Sequence, residues 1–245
     1  IGEEFSLMSF CDGSNLSHMP AVQDHKRAYE GDTGPNTGGM GTYSDSDHSL
    51  PFLEKSHILA AQKINQMTAE ALRDKFEEGY KGILYGGFIA TKDGVKVIEY
   101  NARFGDPEAM NVLSILETDL IDICSAIINE ELNTIDIRFN NSATVCKYAV
   151  PEGYPDDPIK NKEIDVAEVA DTDKLFYASV ELKNDKLFEM GSRTVAVVGA
   201  GDSIWEAEEI AEKEVSKIKG PLFHRKDIGT TELIQKKINN MHSLK

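Results

Sequence analysis

Eleven consecutive residues constrain the fold more than any others: Gly31-Asp32-Thr33-Gly34-Pro35-Asn36-Thr37-Gly38-Gly39-Met40-Gly41, five of them glycine. Glycine weakens helix and strand interiors and proline removes a backbone donor, so no long regular element is expected here. The stretch lies inside a Gly-rich run over residues 24–43 and reads as a mobile loop. Glycine also lets backbone N–H groups approach an anion, and successive N–H groups form an anion-binding nest. Asp24-His25-Lys26-Arg27 lies just upstream and supplies cations. The expectation is a loop that closes over a phosphate or a carboxylate. A flexible linker is the alternative; linkers are usually Gly/Ser repeats, whereas this segment carries a Pro, an Asn and two Thr. Composition alone leaves both open.

The net charge decides what kind of anion this is. Lys plus Arg number 26 against 42 Asp plus Glu, giving −16. Such a chain repels a phosphate backbone, so nucleic acid is not expected as a partner. A small anionic substrate has to be held by local cations working against the overall field. The chain begins at Ile1 and has 245 residues, 40% hydrophobic and 28% charged. That is globular composition for one or two domains, and no apolar run approaches the ~18 residues of a membrane span. Cys11, Cys124 and Cys146 are odd in number and scattered, which points to a reducing cytoplasm rather than a disulfide or zinc framework.

Hydropathy patterning predicts an α+β chain. Residues 5–11 and 16–22 read as strands around an Asp12-Gly13-Ser14-Asn15 turn. A helix is predicted over 51–78, stopped by Gly79, followed by strands at 82–91 and 95–101 around Lys92-Asp93-Gly94. Helical pattern then runs on to Leu132. A boundary is expected near Asn140, dividing residues 1–140 from a small α+β unit at 141–245. That unit carries predicted strands at 143–150, 175–182, 186–190 and 194–198. Asn184-Asp185 is its hairpin turn, and Ser203-Ile204-Trp205-Glu206 caps a helix over 203–217.

The second chemical signal is Glu99-Tyr100-Asn101-Ala102-Arg103. Strand alternation puts Val95, Val97, Glu99 and Asn101 on one face. A carboxylate and an amide oxygen two residues apart converge on one hard cation such as Mg²⁺. Arg103 suits bidentate holding of a carboxylate or phosphate. A solvated strand end is the bland alternative. Asp106, followed by Pro107 and Glu108, is expected to cap the next helix, and a substrate amine is the other use for its carboxylate.

Taken together, Asp24-His25-Lys26-Arg27, the Gly31–Gly41 run and Val97-Ile98-Glu99-Tyr100-Asn101-Ala102-Arg103-Phe104-Gly105-Asp106-Pro107-Glu108 resemble the phosphoribosylamine–glycine ligase (glycinamide ribonucleotide synthetase) family. Gly2-Glu3-Glu4-Phe5-Ser6, Gly153-Tyr154-Pro155 and His224-Arg225-Lys226-Asp227-Ile228-Gly229 extend the resemblance over essentially the whole chain. It implies the later part of an ATP-grasp region followed by a small C-terminal α+β domain. It implies ATP and Mg²⁺, or Mn²⁺ in its place, as cofactors, and glycine and 5-phosphoribosylamine as substrates of a cytoplasmic ligase of purine synthesis. By the same resemblance Glu99 and Asn101 hold the metal and Arg103 is catalytic. His25, Lys26, Arg27, Asp32, Gly34, Pro35, Asn36, Thr37, Gly38, Gly39 and Asp106 form the substrate and phosphate loop. The family's N-terminal domain and first ATP-grasp portion have no counterpart in these residues, so the missing half is expected in the same or another chain. The strand at 82–91 lacks the metal carboxylate that many ATP-grasp enzymes carry there, leaving the number of protein-bound metal ions open. A non-catalytic nucleotide- or phosphosugar-binding domain and an ATP-grasp ligase for another substrate remain the competing readings.

Overall fold

The computed structural model describes residues 1–244. In chain order its elements begin β1 (Glu3–Asp12), β2 (Leu16–His18), β3 (Gln23–Asp24), β4 (Arg27–Tyr29), β5 (Thr33–Asn36) and β6 (Gly41–Ser44). Then come α1 (Lys55–Lys75), β7 (Lys81–Thr91), β8 (Gly94–Asn101), α2 (Glu108–Leu113) and α3 (Leu120–Asn129). The second half contains β9 (Ala143–Pro151), β10 (Glu163–Ile164), β11 (Leu175–Tyr177), β12 (Val180–Lys183), β13 (Lys186–Glu189), β14 (Val195–Gly201), α4 (Ile204–Val215), β15 (Leu222–Phe223) and α5 (Thr231–Ser243).

A four-stranded antiparallel sheet, β2-β1-β7-β8, carries the first half. One face packs on α1, where Phe5 stacks on Phe88 with ring centroids 5.5 Å apart. Asn65 of α1 is fully buried there; its amide donates to Leu7 O and Ser9 Oγ, and its Oδ1 accepts from the Tyr100 hydroxyl. Buried polar groups need partners, and this network fixes α1 against β1 and β8. On the opposite face Met8, Phe10 and Tyr85 pack with Ile123 and Ile127 of α3.

A second antiparallel sheet runs in the order β11-β14-β9-β6-β3, with β15 also on β9. Every residue of β9 is buried, covered on one side by α4. Asn140 lies in the irregular connection before β9. The sheet itself crosses that point, since β6 pairs with β9, and one apolar core joins Phe5 and Phe88 to Val145, Val198 and Met241.

Several predicted elements differ in length. The helix predicted over 51–78 spans Lys55–Lys75, and the helical pattern running to Leu132 is broken into α2, α3 and a short 3₁₀ turn at Leu132–Thr134. The predicted strand at 16–22 is β2 plus a single bridge from Val22 to Ser6. The strand at 175–182 is split into β11 and β12, which join different sheets. Asn184 and Asp185 both take positive φ in the two-residue turn joining β12 and β13, as a right-twisted hairpin requires. Ser203 accepts from Glu206 N and caps α4. α5 was not among the predicted elements.

Candidate functional site: a cleft between the two sheets

β7 and β8 build one wall. Tyr85 pairs with Asn101 and Gly87 with Glu99, but Phe88 pairs with Val97, so Ile98 is an extra residue in a β-bulge. A bulge shifts strand parity by one. The expectation that Val95, Val97, Glu99 and Asn101 share a face is therefore corrected: Val95 packs toward the α1 core, while Glu99 and Asn101 face the cleft with Tyr85. Their two side chains remain together, the Asn101 amide donating to Glu99 Oε1 at 3.2 Å. That leaves Asn101 Oδ1 and Glu99 Oε2 available to a cation. Opposite Glu99 stands Gly87, where a Cβ would lie 3.3 Å from Glu99 Cγ. The bare backbone keeps that space open.

The other wall is the Gly-rich run, which is an ordered hairpin rather than an open loop. β4 and β5 pair through Arg27–Asn36 and Tyr29–Thr33. Gly34 has φ +81° and a Cβ there would meet the Tyr29 ring at 2.4 Å, so only glycine fits. Thr37 folds back: its N–H and hydroxyl both donate to Lys26 O, and its Oγ1 accepts from Gly39 N.

Lys26, Thr37, Gly38, Glu99, Asn101, Arg103 and Asp106 line one cleft of about 160 Å³, together with Asp24, Tyr85, Gly105 and Glu108. The two motif segments, some sixty residues apart in sequence, thus face each other. Arg103 is exposed, and its guanidinium donates to Phe104 O at 2.8 Å. A wider cleft of about 490 Å³ shares Asp24 and Lys26 and is lined also by His25, Arg27, Asp32, Asn36 and Lys237. Gly34, Pro35 and Gly39 line neither.

Two expected roles change. His25 is not a cation: it is buried and its pKa is pushed down to about 4, mainly by desolvation. Its Nδ1–H donates to Gly41 O at 3.3 Å, and Nε2 has no hydrogen-bond partner among the described residues. Asp106 does not cap α2, whose N-cap is Pro107 without a side-chain bond. Its Oδ1 accepts from the Tyr148 hydroxyl at 2.8 Å and its Oδ2 pairs with Arg193 at 3.1 Å. Asp32 is likewise committed, to Arg225 and Lys237, and these cations hold its carboxyl below the usual range against the opposing effect of burial.

Asp24 and Glu108 form the cleft's acidic floor. Burial raises both carboxyls above their ordinary values; the charge of Glu108 adds to this at Asp24, and that of Asp106 at Glu108. Glu108 Oε1 accepts from the Tyr85 hydroxyl at 2.8 Å, whereas Asp24 Oδ1 is buried with no partner among the described residues. Both lie inside motifs quoted from the sequence, yet nothing local marked them as neighbours. Arg193, which pairs with Asp106, carried no sequence signal.

The architecture, an antiparallel sheet and a Gly-rich hairpin closing on a carboxylate–amide pair, is the later part of an ATP-grasp fold. The biotin carboxylase domain of the Hydrogenobacter thermophilus 2-oxoglutarate carboxylase, solved with MgADP and bicarbonate, shares this fold at a TM-score of 0.61 and 16% identity. Two family models match: the phosphoribosylglycinamide synthetase ATP-grasp (A) domain over residues 1–109 and the phosphoribosylglycinamide synthetase C domain over residues 144–231. The chain belongs to the phosphoribosylglycinamide synthetase family. The phosphoribosylamine–glycine ligases of Methanosarcina acetivorans and Methanocaldococcus jannaschii are 54% and 52% identical to it, across 100% of this chain and 55% of each ligase. The crystal structure of the Thermotoga maritima phosphoribosylamine–glycine ligase superposes with a TM-score of 0.80 at 28% identity, over 93% of this chain and 56% of that one. The chain thus spans about half the length of the curated relatives it matches. Among the described residues no helix is long and apolar enough to cross a membrane.

Proposed function

We propose that this chain supplies the metal-, phosphate- and substrate-facing part of a ligase that joins glycine to 5-phosphoribosylamine, with ATP converted to ADP and phosphate. One observation carries the reading: Glu99, Asn101, Arg103, Lys26 and Gly38 line a single cleft. The residues fit Mg²⁺. Two adjacent oxygen donors suit an ion bound through one or two protein side chains, with substrate phosphates and water completing its octahedron. No group of three or more His, Cys, Asp or Glu is placed to form a closed metal cage among the described residues. A bound Mg²⁺ would neutralise phosphate charge.

Arg103 holds the glycine carboxylate toward the γ-phosphorus of ATP. A carboxylate oxygen attacks that phosphorus, the bond to the β,γ-bridging oxygen breaks, and ADP leaves with the electron pair. Lys26 draws charge from the transferring group, because phosphoryl transfer depends mainly on positioning and electrostatics. The amine then attacks the acyl carbon, and phosphate departs carrying the former glycine oxygen. Asp24, whose side chain lines the cleft, takes the proton the amine releases. The hairpin excludes water that would hydrolyse the acyl phosphate. The three free cysteines, two of them buried, suit a reducing cytoplasm.

The test is isotopic. The chain, joined to the remaining length its relatives carry, is supplied with ATP, Mg²⁺, 5-phosphoribosylamine and glycine labelled with ¹⁸O in the carboxylate. The expected result is glycinamide ribonucleotide together with ¹⁸O in the released phosphate. Product without label in phosphate would remove the acyl phosphate, and absence of product would remove the ligase.

A further inference from the structure

Arg193 lies in the connection between β13 and β14, far in sequence from every motif of the cleft. Its Nη1 donates to Gly38 O at 2.8 Å, Gly39 O at 3.3 Å and Asp106 O at 2.9 Å. Its Nη2 donates to Asp106 Oδ2 at 3.1 Å. The guanidinium carbon sits 4.8 Å from the Tyr148 ring centroid, and the hydroxyl of that same tyrosine donates to Asp106 Oδ1. Gly38 is seated directly on the guanidinium: a Cβ there would come within 3.0–3.2 Å of its carbon and nitrogens. On its other side the Gly38 N–H donates to the Tyr154 hydroxyl at 3.4 Å.

Arg193 is absent from the lining of the cleft, but Gly38 and Asp106, both on the lining, are joined through it. One planar group therefore sets the separation between the hairpin wall and the segment that follows Arg103. We propose that Arg193 is a positioning residue of the site: it fixes the cleft's width, and so the placement of Lys26 and the Gly38–Gly39 backbone relative to Glu99, Asn101 and Arg103. The proposal rests on the ligase reading for its catalytic consequence only. A fork of donors in fixed geometry, stacked on an aromatic face, is required; a lysine ammonium has neither the fork nor the stacking plane. The residue belongs to the C-terminal unit, so that unit becomes part of the active site's geometry rather than an appendage.

Arg193→Ala and Arg193→Lys are made in the chain joined to its remaining length. Misplacing positioned groups by an ångström costs about 10²-fold in rate, and kcat is expected to fall by about that factor in both variants. Guanidinium ion added at millimolar concentration is expected to restore part of the turnover of Arg193→Ala and none of that of Glu99→Ala. Hydrogen exchange read on the 245-residue chain is expected to speed up at the Gly38 and Gly39 amides of Arg193→Ala while β9 amides keep their rates. Wild-type kinetics with unchanged exchange would overturn the proposal. So would activity lost only in proportion to folded protein, with no rescue by guanidinium. If the wild-type enzyme makes no product, the ligase reading fails, and the exchange experiment still decides whether Arg193 holds the hairpin.

Discussion

The two walls of the cleft are built in opposite ways. Glu99 and Asn101 on β8 bond to each other, and Arg103, just past the strand, bonds to the backbone next to it. This wall is carried by its own strand and stays open to solvent. The Gly-rich hairpin instead depends on residues almost two hundred positions away. Arg225, which is 1% exposed, donates to Asp32 Oδ1, to Arg27 O and, through Nε and Nη2, to both oxygens of Asp227. Asp227 accepts from Gly31 N at 2.8 Å, and Lys237 joins Asp32 to Glu3. A glycine-rich segment has little side-chain packing of its own, so its order is imported. Substitutions on the β8 wall are therefore expected to cost little stability, and substitutions that cut the hairpin's distant ties to cost much.

Breaking the import should have the largest effect on stability. Arg225→Met leaves Asp227 as a partly buried carboxylate without its counter-charge and Asp32 with Lys237 alone, a loss of about 4 kcal/mol, read as a lowered denaturation midpoint. Next is acid sensitivity. The native pKa of His25, about 4, lies below its ordinary value of 6.5. The folded state thus binds fewer protons than the unfolded one between those values, so this stability is complete above pH 6.5 and is lost as pH falls toward 4. His25→Gln should abolish that loss, worth about 3 kcal/mol by pH 4, in denaturation curves compared at pH 7 and 4.5. A smaller effect is expected at the hairpin's tip. Gly34→Ala forces a left-handed residue against the Tyr29 ring and should cost about 1–2 kcal/mol, measured the same way. If Glu99→Gln, on the other wall, shifts stability by more than about 0.5 kcal/mol, the usual bound for an exposed site, the contrast between the walls is wrong.

What was legible in the sequence follows the same division. The Glu99–Asn101 pair, the Asn184-Asp185 turn and the Ser203 cap are local: each depends on residues one to three apart, and each stands where its spacing puts it. The bulge at Ile98 was not legible. Nothing in Val95-Lys96-Val97-Ile98-Glu99 announces an extra residue, because the bulge is set by pairing with β7. The hairpin read as a loop because the side chains ordering it, Arg193, Arg225, Asp227 and Lys237, lie in another part of the chain. Arg225 and Asp227 were visible as a motif but not as partners of Asp32 and Gly31. α5 has a local signal: Thr230 caps it, accepting from Leu233 N, and Leu233, Ile234, Ile238 and Met241 keep helical spacing. Asp106 shows the reverse, a local capping pattern overridden by Tyr148 and Arg193, which are distant in sequence.

The central claim is that the two walls form one metal-dependent ligation site. Its most direct measurement is ADP release by the chain joined to its remaining length, followed with and without glycine and 5-phosphoribosylamine, for wild type and Glu99→Ala at saturating Mg²⁺. Wild type is expected to release ADP that requires glycine and is sustained only with 5-phosphoribosylamine present, and Glu99→Ala none above background, with the variant's denaturation midpoint unchanged. Normal ADP release by a folded Glu99→Ala enzyme would contradict it.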